Sequence, residues 1–203
     1  MTYSIRITRK SAQHTSQWSG GSTTQLAIYP ETAVYSDRSF QWRISTAVVE
    51  AEESSFTPLP GFWRLLMILE GELFIEHEGH HSVTLPPFEQ DSFSGGWTTR
   101  SKGKVRDFNL MLAEGNSGEL KAIHVAPGLH LELVGVRDHD ERHVDEAFYC
   151  VNGPVSFLID EDEVTLQDGD FMLISKMSSA KTITVSNQAQ KKVTLIKTSI
   201  FYS

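Results

Sequence analysis

The sequence predicts an all-β protein built from two similar β-barrel halves, and three observations carry that expectation. Short apolar runs rich in Val, Ile, Leu, Phe and Thr recur between turn residues, while stretches with a helical period are scarce. A pattern of about twenty residues occurs twice. The length of 203 residues suits two linked barrels, since domains usually run to about 100–200 residues.

Phe40 to Val49 alternates. Phe40, Trp42, Ile44, Thr46 and Val48 fall on one strand face, and Gln41, Arg43, Ser45, Ala47 and Val49 on the other, because successive side chains of a strand point to opposite sides. Leu65 to Leu69 is continuously apolar and reads as a strand covered on both faces. Val105 to Leu112 alternates again, with Phe108, Leu110 and Leu112 opposite Asp107, Asn109 and Met111.

The repeat is the most informative feature. Arg64 through Leu85 reads RLLMILEGELFIEHEGHHSVTL, and Glu146 through Leu166 reads EAFYCVNGPVSFLIDEDEVTL. In each copy a polar residue precedes a Gly by seven positions, and an apolar strand, a charged turn and Val-Thr-Leu follow. Aligned on Gly71 and Gly153, the copies differ by one residue in the hairpin turn. A lone hairpin needs a wider sheet to bury its faces, so the repeat points to duplicated barrels rather than a short-period solenoid. Pro58 to Gly61 and Gln167 to Asp170 are turn chemistry. The expected division is a first barrel over 1–112 including the N-terminal strands, a loop-like linker over 113–119, and a second barrel over 120–203. Exchange of strands between the halves stays open.

Composition narrows the function. A formal net charge of −8, from 26 acidic and 18 basic residues, repels nucleic-acid phosphates and anionic lipid headgroups, so neither nucleic acid nor membrane is expected as a partner. Cys150 is the single cysteine; it cannot form an intramolecular disulfide and reads as a buried apolar residue. The N-terminal residues lack the apolar run and cleavage site of a secretory signal, and no apolar stretch approaches the roughly 20 residues needed to span a bilayer. A cytoplasmic protein is the expectation.

The repeat geometry resembles cupins, whose first motif places a Glu seven residues before a strand-ending Gly. Five segments resemble the HutD/Ves family more specifically. They are Trp18-Ser19-Gly20-Gly21-Ser22-Thr23-Thr24-Gln25-Leu26, Trp42 to Ala47, Phe56 to Arg64, Phe93-Ser94-Gly95-Gly96, and Asp107 to Met111. The family usually carries an Asn before its glycines, where this chain has Ser19. The resemblance implies a bicupin, two cupin-like β-barrels of the RmlC-like jelly-roll type in one chain. It also implies a link to histidine utilisation or stress responses, with no settled enzymatic activity.

A metal-dependent cupin needs about three His and one carboxylate converging inside the barrel. Counting back from Gly71, those positions hold Thr57, Leu59 and Arg64, and a cation in the carboxylate position favours a bound anion over a metal. Counting back from Gly153 gives Glu146, Glu141 and His139, a three-ligand set that competes with a plainer reading of Asp138 to Glu146 as a solvated acidic loop. No metal or other cofactor is expected. His77, His80 and His81 fall in the first hairpin turn with Glu76, Glu78 and Gly79 and are expected to spread into solvent.

The first half supplies the candidate site. Arg43 and Ser45 share one strand face, Asp107 and Asn109 another, and Arg64 begins the repeat strand. Guanidinium groups match carboxylates in geometry, so two arginines in a barrel mouth suit a small mono- or dicarboxylate. Asp107 would hold one arginine in place. Gly20 and Gly21 would let the backbone approach an anion, with Trp18 beside them as a stacking surface. The plainer alternative makes Arg43, Asp107 and Asn109 outward-facing, Arg64–Asp107 a structural ion pair, and Trp18, Trp42, Trp63 and Phe62 core. The leading reading is a metal-independent protein that binds a small anionic metabolite, as a sensor or regulator. A cupin-type isomerase or hydrolase, metal-dependent through the second barrel, is the alternative, and a homodimer without ligand is a third.

Overall fold

The computed structural model describes residues 3–135, 143–177 and 179–202, most of them in antiparallel strands. Among them no helix is long and apolar enough to cross a membrane. The chain forms two compact units, residues 13–116 and residues 1–12 with 117–203. The first strand, β1 (Ser4–Thr8), thus belongs with the C-terminal half.

The N-terminal unit runs through β2 (His14–Trp18), β3 (Gly21–Tyr29), β4 (Trp42–Val49), β5 (Glu53–Ser55) and β6 (Phe62–Glu70). It continues with β7 (Leu73–His77), β8 (His81–Leu85), β9 (Gln90–Ser94), β10 (Thr99–Lys102) and β11 (Val105–Ala113). One sheet has the order β2-β3-β4-β11-β6-β9 and the other β5-β10-β7-β8. Leu66 and Ile68 from the first sheet and Leu73, Ile75 and Leu85 from the second share one buried cluster with Phe93 and Val105. The two sheets therefore face each other across a core. Gly71 makes the turn between β6 and β7 at φ 84°, where a Cβ would lie 2.4 Å from the Lys104 carbonyl oxygen, so only glycine fits.

The C-terminal unit comprises β12 (Ser117–Val125), β13 (Gly128–Val134), β14 (His143–Asn152) and β15 (Val155–Ile159). It ends with β16 (Asp162–Leu166), β17 (Phe171–Ser175), β18 (Lys181–Asn187) and β19 (Val193–Tyr202). Its sheets are β1-β17-β14-β19-β12 and β13-β18-β15-β16. Adding eight to each label of β4-β11-β6-β9 and β5-β10-β7-β8 reproduces β12-β19-β14-β17 and β13-β18-β15-β16. The duplication thus extends over a whole eight-strand topology, of which the sequence repeat marks only β6–β8 and β14–β16. The shared Val-Thr-Leu closes β8 and β16, and Leu85 and Leu166 are each buried in their own unit's core.

Three expectations change. Among the described residues no ladder joins the two sheets of either unit, so each unit is a pair of facing sheets, not a barrel closed by hydrogen bonds. The N-terminal strand does not join the first half: β1 pairs with β17 along Ser4 to Thr8, and Ile5 and Ile7 pack on the C-terminal core. It thereby covers what would be an open sheet edge. The linker at 113–119 contracts to the turn 114–116, because Ala113 ends β11 and Ser117 begins the ladder between β12 and β19. Small polar residues read as loop, yet strand pairing claims them.

Asn187 fastens the end of β18. Its amide nitrogen donates to the carbonyls of Val125 (2.9 Å) and Lys191 (2.8 Å), and its oxygen accepts from the Ala189 N–H at 2.9 Å. Asn187→Ala leaves these buried groups unpaired and is expected to cost about 2 kcal/mol, read by urea unfolding of the full chain; a loss under about 0.5 kcal/mol contradicts this assignment.

Candidate functional site

Strand register brings the first-half polar residues together. Met111 of β11 stands opposite Arg43 of β4 on one side and opposite Arg64 of β6 on the other, while Asn109 stands opposite Ser45 and Asp107 opposite Ala47. These side chains share one face of the six-stranded sheet. That face lines a cavity of about 310 Å³ together with Tyr35, Phe56 and Trp18. Trp42 through Thr46 and Asp107 through Leu112 are buried without interruption, so the alternation in β4 and β11 separates two buried faces, not core from solvent. The outward-facing alternative for Arg43, Asp107 and Asn109 therefore fails.

Both guanidinium groups lie against aromatic rings. Arg43 donates from Nε to Gln25 Oε1 at 2.9 Å and from Nη1 to Ser45 Oγ at 3.1 Å, and lies 4.3 Å over the Tyr35 ring. Burial lowers its pKa, with Tyr35 opposing. Arg64 is clasped by aromatic rings, 4.7 Å from Phe56 and 5.3 Å from Phe93, and its Nε is buried without a hydrogen-bond partner. Burial pushes its pKa down to about 10, Arg43 adds to the fall, and Tyr35 and Asp107 resist it.

Asp107 does not close an ion pair with Arg64 through a hydrogen bond; the two interact only through space. Burial raises the Asp107 carboxyl to about 7, against the pull of Arg64 and of a hydrogen bond from the Ala47 backbone. Asn109 Oδ1 is also buried without a partner. The cavity therefore combines two desolvated cations, one carboxyl of near-neutral pKa and one unmatched acceptor. Unpaired buried groups of this kind are costly, and a ligand carrying a carboxylate and a hydrogen-bond donor would relieve both kinds.

The remaining sequence candidates divide. Trp18 lines the cavity with 40% of its surface exposed. Gly20 and Gly21 lie outside the lining. A Cβ on Gly20 would meet the Trp18 ring at 2.1 Å, and one on Gly21 would meet the Val48 carbonyl oxygen at 1.9 Å. Their small size seats Trp18 and lets β3 close on β4. Trp42 and Phe62 are core, whereas Trp63 is 43% exposed. The sequence reading missed Gln25, Tyr35, Phe56 and Met111 as site residues. Gln25 and Phe56 lie inside the quoted family segments, and Met111 completes the Asp107-Asn109 face; Tyr35, from a loop, left no periodic signal.

In the C-terminal unit Glu146 occupies the place of Arg64, in a second cavity of about 590 Å³. Its carboxylate accepts from the Gly135 N–H at 3.0 Å and from Ser199 Oγ at 2.8 Å, with Lys197 Nζ at 3.9 Å. Lys197 also pairs with Glu132 at 3.0 Å. Burial raises the Glu146 pKa, with Lys197 the leading opposing influence. An ammonium and two donors thus already engage the carboxylate that a metal would need. His139 and Glu141, the other members of that alternative set, lie outside the described residues.

Comparisons with known proteins agree with this architecture. A model of the family described as HutD matches residues 10–195. A conserved protein of unknown function from Pseudomonas aeruginosa PAO1 superposes with a TM-score of 0.83 at 19% identity, over 98% of this chain and 100% of that one. HutD from Pseudomonas fluorescens SBW25, in a formate condition, gives 0.72 at 19% identity over 96% and 98%. The bacterial pirin YhhW from Escherichia coli in complex with nickel(II) gives 0.70 at 12% identity over 98% and 100%. At these identities the likeness to solved structures shows a shared cupin-like all-β fold alone. The nickel of that pirin finds no counterpart donor set in the N-terminal cavity, because two guanidinium groups beside one carboxyl do not fit a cation.

Proposed function

The chain belongs to the HutD family, and from that premise we propose that the cavity of its N-terminal unit binds a small carboxylate metabolite without a metal ion. The eight-strand topology common to the two units reads as a duplicated cupin-like fold, with the functional pocket in the first unit. The observation that carries the reading is Arg64, a buried guanidinium with an unpartnered Nε and no carboxylate hydrogen-bonded to it, in the same cavity as Arg43. A carboxylate bridging Arg43 and Arg64 would supply the missing counter-charge through charge-assisted hydrogen bonds. Asn109 Oδ1 would then accept from an N–H or O–H of the same ligand. At about 310 Å³ the cavity lies at the small end of ligand pockets, which favours a metabolite over a peptide or nucleotide.

The family's association with histidine utilisation makes breakdown compounds such as urocanate or a formyl-glutamate the first candidates, with a sensor or regulator as the corresponding role. The formate condition of the P. fluorescens HutD structure makes formate the simplest probe. Calorimetric titration of the full chain with formate, urocanate and urocanamide is the test. Urocanate is expected to bind, formate more weakly, and the amide, which lacks the negative charge, about 100-fold or more below urocanate. Equal binding of urocanate and its amide would remove the arginines from the recognition.

A further inference from the structure

We propose that His77, His81 and Asp91 form a binding site for a divalent transition-metal ion of the zinc class, apart from the arginine cavity. None of the three lines that cavity. His77 ends β7 and His81 begins β8, directly opposite one another across the hairpin. Asp91 reaches them from β9, a strand of the facing sheet. The expectation of a solvent-facing histidine turn holds for His80 and for His81, at 41%, but fails for His77, whose side chain is fully shielded.

The spacing suits a shared ion. Asp91 Oδ2 lies 2.9 Å from His77 Nε2 and 3.0 Å from His81 Nε2, and one ligand atom from each residue falls within 4.8 Å of the others. Ligand atoms around a tetrahedral ion with bonds of roughly 2.1 Å are about 3.4 Å apart, so an ion would widen these separations by only a few tenths of an ångström. Two imidazoles with one carboxylate favour zinc, nickel or copper over calcium or magnesium.

Hydrogen bonding holds the His77 ring in place. Its Nδ1 lies 2.8 Å from Thr99 Oγ1, and the Thr99 hydroxyl donates to the Trp97 carbonyl at 3.3 Å. With a metal ion on Nε2, Nδ1 would keep the ring proton and donate it to Thr99 Oγ1. Nε2 faces the Asp91 carboxylate at 2.9 Å, where an ion would replace the ring proton that otherwise joins the two. A histidine whose second ring nitrogen donates to a fixed partner is the usual arrangement behind a metal ligand. Phe93 and Trp97, with centroids 4.3 and 5.6 Å from the His77 ring, hold it in place. Solvent-facing His81 gives the ion an entry path, and three protein ligands leave further positions for water.

The test uses tag-free full-length protein stripped with a chelator and titrated with zinc chloride by calorimetry, then with cobalt(II) followed by visible absorption. Saturable binding of about one ion per chain is expected, with His81→Ala and Asp91→Asn each weakening it by about tenfold or more. His130→Ala, in the other unit, is expected to leave it unchanged. Circular dichroism of the metal-free variants establishes that both ligand-site changes leave the fold intact. No saturable binding by folded wild-type protein, or wild-type affinity in both ligand-site variants, overturns the site and leaves the cluster as His77 and His81 hydrogen-bonded to Asp91.

Discussion

Arg64→Met is expected to reduce carboxylate binding by about 100-fold or more while leaving the ligand-free protein as stable as the wild type or more so. Removing one partner of a buried charge pair costs roughly 2–5 kcal/mol, and in the proposed complex Arg64 and the ligand form that pair. The unliganded protein gains instead, because the replaced guanidinium is buried with its Nε unpartnered and its pKa depressed to about 10. Replacing buried ion pairs by apolar side chains is often neutral or stabilising by about 1–4 kcal/mol, and Arg64→Met leaves no hydrogen-bonded carboxylate behind, since Asp107 meets Arg64 only through space. Methionine also suits the slot between Phe56 and Phe93, since thioethers pack well on aromatic rings. Calorimetry and urea unfolding separate the two effects. A variant that loses stability and keeps its affinity contradicts the proposal, because Arg64 would then be structural.

Affinity for the anion is expected to rise about tenfold as pH falls from 8 to 6, over a range where a simple carboxylate ligand stays ionised. The Asp107 carboxyl is raised to about 7 by burial, so it discharges within that window and stops repelling the ligand. Asp107→Asn is expected to flatten the profile. Stability carries the same sign. A carboxyl whose folded value exceeds its unfolded value of 3.8 contributes stability that is complete below the unfolded value and is lost as pH rises through about 7. The loss is on the order of 4 kcal/mol, so Asp107→Asn should be more stable than the wild type at pH 8 and nearly equal to it at pH 4. Affinity that climbs with pH, or a profile unmoved by Asp107→Asn, would place this carboxyl away from the anion.

Some of the site was legible from pattern. Alternation in Phe40 to Val49 and Val105 to Leu112 put Arg43 with Ser45 and Asp107 with Asn109, and the repeat set Arg64 against Glu146 in equivalent places. Burial was not legible, because period 2 says which residues share a face and not what covers that face. Nor was Tyr35 as the stacking partner of Arg43, or Asp91 as the meeting point of two histidines, since both contacts join segments with no shared period.

By itself the sequence determined the all-β class, the duplication around Gly71 and Gly153, and the separation of polar from apolar faces along the strands, all of which are local or repeated patterns of side-chain chemistry. Tertiary structure alone decided that β1 covers the edge of β17 and that the polar face of β4 and β11 is enclosed with Arg64 beside it. It alone decided, too, that His77 is buried against Asp91. Each of these depends on which distant strand lies alongside or opposite, and that is settled by the packing of whole sheets rather than by any neighbouring residue.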